Sequence, residues 1–257
     1  MISLEDPPGF VVRELAQKAA WDRGFRHELG QRGGWMGWSS TTVPGEVWIA
    51  AADVQGPWYL SITHAGAAAE LGARAAPMPG PGPGLETFVF NGDGPLTEAI
   101  DRTYKLSLSL PDAPLNKFEA LTKDLPRTTE AERLIVQRIG QDEFRKALLE
   151  YWGGRCPLTG ITETALLRAS HIIPWAACAT DAQRLDVHNG LLLSALWDAA
   201  FDAGLVSFMD EGRPIASPRL SAAARSRLGF DEVPPLTSLR HEHRANLAWH
   251  RKRYEFD

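Results

Sequence analysis

The sequence predicts an α+β fold built from two domains. In the first half, apolar residues at helical spacing occupy 10–25, and three runs rich in β-branched and aromatic residues follow: EVWIAAA, PWYLSIT and LETFVFNG. This pattern indicates a β-rich or α+β domain. The second half begins with helical patterns and then reads strand, loop, strand and helix over 164–205. Prolines and weak periodicity separate the halves at 106–126, so we expect domains at 1–115 and 116–257.

Composition sets broad limits on the class of protein. The 257 residues are 44% hydrophobic, which is enough to build a core in each of two modest domains. No run of about 18 apolar residues is present, and the opening MISLEDPPGF lacks a basic segment followed by an apolar one. We therefore expect a soluble cytoplasmic protein with no contact to a membrane. Two cysteines do not make a disulfide framework and agree with a reducing compartment.

The charge is unevenly distributed between the two predicted domains. The net charge is −5, from 27 Lys+Arg and 32 Asp+Glu. Residues 1–115 hold 8 basic and 13 acidic side chains, whereas 116–257 hold 19 of each. This balance argues against indiscriminate tight binding to a polyanion, because such binding depends on many basic contacts, but it leaves room for a local basic footprint.

Helical signals resume directly after the predicted domain boundary. Thr129 and Glu132 match a capping box, and apolar spacing continues to Gly140, which predicts a helix ending there. A second helix is expected over 144–152, where apolar residues recur at helical spacing ahead of two glycines. These helices lead into the segment that carries the candidate chemistry.

That segment places two carboxylates where they would repel each other. The apolar run from Ala165 to Ile173 reads as a strand that ends at a proline, and an Asn-Gly turn leads to a second short strand of three leucines. A helix follows from Ala195 and carries Asp198 and Asp202, four residues apart on one face. No basic residue stands three or four positions from either aspartate on that helix. A bound cation would relieve the repulsion.

Three blocks of this segment, ASHIIPW, HNGLLLS and LWDAAFD, resemble the HNH nuclease motif of the ββα-metal fold. The resemblance implies an HNH nuclease domain after the helical linker. It also implies that His171 is the general base, that Asn189 braces the loop orienting it, and that Asp198 binds Mg²⁺ or Mn²⁺. Asp202 falls at the second ligand offset of the family, thirteen positions after the asparagine; its alternatives are a bond to Arg168 or to loop backbone.

The sequence departs from the family pattern in two places. Many members carry an acidic or histidine metal ligand directly before the base, and this chain has Ser170. A hydroxyl is a weak ligand for a hard cation, so phosphate oxygens and water would complete the coordination. Other members hold a structural zinc ion with cysteine pairs, but the two cysteines here, Cys156 and Cys178, exclude a four-cysteine site, so no structural zinc is expected.

The first domain is expected to recognise DNA. An HNH module behind a separate domain resembles modification-dependent (type IV) restriction endonucleases. The resemblance implies an endonuclease that cuts double-stranded DNA and whose first domain recognises modified bases. Trp35 and Trp38 lie in a glycine-rich stretch and are candidates for stacking a base, with core packing as the alternative. A homodimer would allow both strands to be cut.

Two other functions remain open at this point. The first is a DNA-binding protein whose HNH module is degenerate and inactive, with Ser170 as the sign, and the second is a nuclease toxin.

Further helices are expected in SPRLSAAARSRLG, with Ser217 as its cap, and in SLRHEHRANLAWHRKRY. The last of these is either a packing helix with a basic rim or a contact to the DNA backbone.

Overall fold

The computed structural model describes residues 4–72, 82–110, 112–126 and 128–256. The chain forms two compact units, Met1–Leu110 and Pro111–Asp257. Both contain helix and sheet, in agreement with the predicted α+β class. In the described ranges, no helix combines the length and the apolar character that crossing a membrane requires.

Unit 1 is organised around an antiparallel sheet. Its described strands hydrogen-bond in chain order, without crossovers. They are β1 (His27–Arg32), β2 (Trp35–Ser39), β3 (Glu46–Ala51), β4 (Trp58–Ile62) and β5 (Glu86–Phe90). The three predicted strand runs are β3, β4 and β5, and the glycine-rich stretch before them is the β1–β2 hairpin, whose register shifts between Glu28 and Gly30. The prediction of strands is confirmed here.

Helices accompany this sheet. They are α1 (Phe10–Trp21), α2 (Ala65–Gly72) and α3 (Asp93–Ser109). Strands β3 and β4 are buried on both faces, with Trp48 and Trp58 at 0% exposure. Gly37 in β2 faces the ring of Trp48, and a Cβ at this position would lie 2.6 Å from the indole. Trp48 and Trp58 therefore belong to the core of unit 1. A glycine is needed at position 37 because the ring of Trp48 leaves no room for a side chain there.

Unit 2 begins with α4 (Ala113–Thr122) and the long α5 (Glu130–Tyr151). The capping box is confirmed, since Thr129 Oγ1 accepts from the Glu132 amide and Glu132 Oε2 accepts from the Thr129 amide. The predicted break at Gly140 is wrong, because α5 runs through it as one helix. Gly140 is buried, and a Cβ there would collide with the ring of Trp175. Close packing, not helix termination, explains this glycine.

The remainder of unit 2 is a hairpin with a helix, followed by a smaller hairpin and two more helices. The elements are β6 (Leu167–His171), α6 (Asp181–Leu185), β7 (Gly190–Ser194), α7 (Ala195–Asp202), β8 (Val206–Phe208), β9 (Pro214–Ala216), α8 (Ala222–Leu228) and α9 (His241–Arg253). One apolar core joins β6, β7, α7, β8, α8 and α9, and it includes the fully buried Leu191, Trp197 and Phe208. The predicted strand, strand and helix of the candidate segment are β6, β7 and α7.

The helix predicted in SPRLSAAARSRLG begins later than expected. Helix α8 starts at Ala222, and Ser221, not Ser217, caps it by accepting from the Ala224 amide. Ser217 instead lies in a turn, where its amide donates to Leu205 and its hydroxyl accepts from the Arg219 amide. Both serines are residues that commonly cap a helix. Ser217 is held outside the helix by the bond from its amide to the Leu205 carbonyl, so the helix starts after Ser221.

Candidate active site

The candidate site lies on the β6–β7 hairpin and the helix that follows it. The strands pair antiparallel, with His171 opposite Gly190 and Ser170 opposite Leu191. Neighbouring residues of a strand point to opposite faces, so Ser170 and His171 serve different sides of the hairpin. Helix α5 and helix α7 both contact β6.

Aromatic rings hold the imidazole of His171. The ring of Phe144 stacks on it, with 3.8 Å between centroids and 18° between planes. Trp175 meets it edge to face, with 5.8 Å between centroids. Gly190 makes room for this arrangement, because a Cβ there would lie 2.5 Å from Phe144. The imidazole is therefore fixed by α5 on one face and by the loop after β6 on its edge.

One hydrogen bond assigns the tautomer of His171. Its Nε2 lies 2.9 Å from the carbonyl oxygen of Arg184. A carbonyl only accepts, so Nε2 carries the proton and Nδ1 keeps its lone pair. No residue in the described part of the chain bonds to Nδ1. Burial lowers the pKa of His171 to about 4, partly opposed by the bond to Arg184. This value lies below the ordinary histidine pKa of 6.5, and it keeps the imidazole neutral at pH 7.

Asn189 ties the two ends of the connecting loop together. It is 0% exposed, and its Oδ1 accepts from the amide of Ile173 at 2.8 Å. Its Nδ2 lies within hydrogen-bonding distance of three acceptors: the Ile173 carbonyl at 3.1 Å, the Gln183 carbonyl at 3.2 Å and the Cys178 sulfur at 3.3 Å. The side chain thus contacts the backbone just after His171 and just before Arg184.

On the other side of the hairpin, Asp198 and Asp202 face the hydroxyl of Ser170. Burial raises the pKa of both carboxyls, and for Asp202 the neighbouring Asp198 raises it further, to about 6. The Ser170 hydroxyl acts in the opposite direction on both pKa values. Ser170 is 2% exposed, and its Oγ lies near both carboxylates without forming a hydrogen bond of regular geometry to either of them. Two crowded carboxylates and one buried hydroxyl oxygen therefore share this face.

His171, Asn189, Asp198 and Asp202 thus lie on the β6–β7 hairpin, its loop and helix α7. Residues 156–209 match the family model described as HNH endonuclease. The matched segment runs from the loop before β6 through β8. No curated protein matches the chain. An HNH endonuclease domain indicates a nuclease, a hydrolase acting on DNA, and such nucleases generally use a divalent metal.

The residues of the matched segment fit a sparsely held divalent cation. No group of three or more His, Cys, Asp or Glu side chains in the described ranges could enclose a metal ion. Mg²⁺ is commonly bound by one or two carboxylates and keeps several waters alongside substrate phosphate, which is the donor set that Asp198 and Asp202 offer. The Ser170 oxygen adds a polar atom at the same place. The charge of Arg168 partly lowers the pKa of Asp198, but its Nη1 bonds to the Ala165 and Leu167 carbonyls, and no ion pair joins it to Asp198 or Asp202 in the described part of the chain.

Three residues beside His171 were not identified from the sequence. Phe144 and Trp175 hold the ring, and Arg184 supplies the carbonyl that orients it. The helical spacing of Phe144 indicated a buried residue but not its partner. Arg184 carried no signal, because a backbone carbonyl is the same in every residue type.

Trp35 and Trp38 lie in the interior of unit 1. Their exposures are 4% and 2%, and Trp35 packs with Trp48 and Tyr59. Neither indole presents a face at the surface, so the structure gives no support to the predicted base stacking. Every residue from Trp35 to Trp38 is buried, because β2 is an inner strand of the sheet and helix α1 packs against it.

The basic residues of α9 are largely engaged within unit 2. Arg251 is 9% exposed and donates to the Phe208 carbonyl and to Asp210. Arg244 donates to the Asp210 carbonyl, and Arg253 lies over the ring of Trp249. These contacts favour a packing helix that anchors the β8–β9 hairpin over a dedicated contact to DNA.

Proposed function

We propose that this chain is a DNA endonuclease that hydrolyses phosphodiester bonds with His171 as general base and one divalent cation, Mg²⁺ or Mn²⁺, held by Asp198 and Asp202. The observation that carries the proposal is the bond from Nε2 of His171 to the Arg184 carbonyl. It leaves Nδ1 as the nitrogen able to accept a proton from water.

His171 would act as a base that is neutral before substrate arrives. Its low pKa ensures that the lone pair is available at pH 7, although a base of such low pKa gives little driving force for proton transfer. The negative charge of a bound phosphate stabilises an imidazolium nearby, so substrate binding would raise this pKa toward the working range. Phe144 and Asn189 meanwhile keep the ring and its loop in place.

The carboxylates would act on the side of the scissile phosphorus opposite to His171. Asp198 and Asp202 would hold the cation, and the repulsion between them falls when it binds. A divalent cation in such a site stabilises charge on the phosphoryl oxygens and on the leaving 3′ oxygen. Ser170 would contribute its hydroxyl to water or phosphate at the same face, in place of the acidic or histidine residue found in many relatives.

The substrate would be double-stranded DNA selected by unit 1. The second half of the chain is electrically balanced, with 19 basic and 19 acidic residues, and several arginines of unit 2 bond to backbone carbonyls. Little charge is left there for sequence-independent affinity. A modification-dependent restriction enzyme of this design would cut after unit 1 has bound a modified base, and a homodimer would cut both strands.

Cleavage assays test this function directly. The full chain is incubated with DNA carrying cytosine or adenine modifications, or none, in Mg²⁺, Mn²⁺ or EDTA, beside His171→Ala and Asp198→Ala proteins. We expect metal-dependent cutting by the native chain alone, greatest on one modified DNA. Equal cutting of all DNAs would remove the modification-dependent role. DNA retention without cutting, unaltered by His171→Ala, would favour the degenerate DNA-binding alternative.

A further inference from the structure

Arg184 makes four contacts that converge on the loop between β6 and β7. Its Nε donates to the Trp175 carbonyl at 3.1 Å, one terminal nitrogen donates to Asp181 at 2.9 Å, and the other donates to the Cys178 carbonyl at 2.6 Å. Its own carbonyl oxygen accepts from Nε2 of His171. Side chain and backbone of one residue thus act on the same loop and on the candidate base.

We infer that Arg184 is a positioning residue for His171: its guanidinium locks the loop so that its own carbonyl oxygen selects the Nε2–H tautomer of the imidazole. This inference rests on the proposed function. The carbonyl exists whatever the side chain is, and its location relative to Nε2 depends on the loop. The bonds at Trp175, Cys178 and Asp181 connect positions three to nine residues before Arg184, which restricts the backbone conformations open to the loop.

The guanidinium suits this task better than any other side chain. It is planar and presents its donors in a rigid fork, so one group can satisfy acceptors that lie in different directions. A lysine ammonium is a point charge on a flexible stem and would not hold all three acceptors at once. Three of its five N–H donors already bond to the loop, so most of the hydrogen-bonding capacity of Arg184 is committed to protein in this arrangement.

Trp175 provides a second route from Arg184 to the base. Its carbonyl accepts from Arg184, the guanidinium carbon lies 5.7 Å from the centre of its ring, and that ring meets His171 edge to face. Releasing Arg184 would therefore free both the acceptor of Nε2 and the aromatic wall beside the imidazole. Asn189 would still restrain the loop through its bonds to Ile173 and Gln183, together with the local bond from the Ala179 amide to Gln183, but none of these bonds involves the Trp175 carbonyl.

The test reads the tautomer directly by ¹⁵N NMR of histidine-labelled full-length protein. The His171 signals are assigned by their loss in His171→Gln. Arg184→Met removes the fork, Arg184→Lys keeps only the charge, and Arg155→Met is the control, because exposed Arg155 bonds to a loop carbonyl, that of Gly160, away from His171. Circular dichroism establishes that each variant is folded.

We expect Nε2–H as the single tautomer in the native chain and in Arg155→Met, and averaged ring signals in Arg184→Met. With DNA substrate, Arg184→Met should lower kcat at least about tenfold with little change in KM, and Arg184→Lys should fall between. A native tautomer in folded Arg184→Met would overturn the inference, as would a native tautomer in folded Arg184→Lys if Arg184→Met does not fold. If the native chain cuts no DNA, the proposed function fails, while the NMR result still decides the positioning role.

Discussion

The ring of Phe144 lies 3.8 Å from the imidazole of His171 and nearly parallel to it. The two residues come from different elements, α5 and β6, and Phe144 is 1% exposed. Helix α5 lies outside the segment that matches the HNH family model, so part of the support for the candidate base comes from residues that the motif does not include.

Phe144→Leu should impair catalysis beyond its effect on stability. The change removes the stacked face, so the imidazole gains rotational freedom, and we expect kcat to fall about tenfold while the free energy of unfolding falls by about 1–2 kcal/mol. Phe118→Leu is the matched control, because Phe118 is equally buried in α4 and is not in ring contact with His171. Equal loss of kcat in both variants would contradict a specific role for the stack.

Acid should destabilise the protein through its buried histidines. The pKa values of His171 and His250 fall to about 4 by burial, so between about pH 4 and 6.5 the unfolded chain binds more protons and the free energy of unfolding falls as pH falls. Asp202 opposes this, since its raised pKa makes the folded chain bind more protons between about pH 4 and 6. Urea unfolding at about pH 5 and pH 7 measures the balance.

Substitutions separate the two opposing effects on acid stability. His250→Asn should reduce the loss of stability between those pH values by on the order of 1–3 kcal/mol, and Asp202→Asn should increase it. His241→Asn, on the exposed start of α9, is the control. A loss of the same size in His250→Asn and native protein would show that His250 is not kept neutral by its burial.

Removing the metal should lower the melting temperature of the native chain but not that of variants at Asp198 or Asp202. Because Asp198 and Asp202 repel each other, Asp198→Asn should melt at a higher temperature than the native chain in EDTA. Adding millimolar Mg²⁺ or Mn²⁺ should raise the melting temperature of the native chain and leave Asp198→Asn unchanged. Asp142→Asn, on the exposed face of α5, should respond as the native chain does. A metal shift that persists in Asp198→Asn would place the cation elsewhere.

Asn189→Asp should loosen the loop although it is nearly isosteric. The carboxylate keeps the acceptor for the Ile173 amide but turns the donor that faces the Ile173 and Gln183 carbonyls into a second acceptor. We expect a loss of at least about 2 kcal/mol in the free energy of unfolding and faster hydrogen exchange at Ile173. Asn246→Asp, which alters one bond to the His188 carbonyl, should cost less. Similar exchange rates in the two variants would argue against the bracing role.

Gly140→Ala should destabilise a helix that alanine normally favours. In a helix interior alanine is better than glycine by about 1 kcal/mol, but here the new methyl group would collide with Trp175. We expect a net loss in the free energy of unfolding and a shift in the tryptophan emission maximum of the folded protein. Gly94→Ala in α3, where nothing lies within 4 Å of the new Cβ, is the matched control and should be neutral or stabilising. A stabilised Gly140→Ala protein would refute the packing explanation.

The local features of the site could be predicted from the sequence because they depend on spacing within a few residues. Asp198 and Asp202 share a helix face by the period of the helix, and β6 ends close to His171 because a proline follows. The capping box of Thr129 and Glu132 is equally local. Such relations are set by the geometry of the local backbone, so the spacing of residues in the sequence is enough to predict them.

Only the tertiary structure decided what surrounds those residues. Gly140 lies inside α5 and is required there by the ring of Trp175, thirty-five positions away, which packs against it. Trp35 and Trp38 are buried because other elements of unit 1 cover β2. The tautomer and the low pKa of His171 follow from a carbonyl thirteen residues away and from burial beside α5. The sequence alone determined the residue types and their spacing; the contacts between distant segments, which depend on packing of the whole unit, determined the protonation state and orientation of the candidate base.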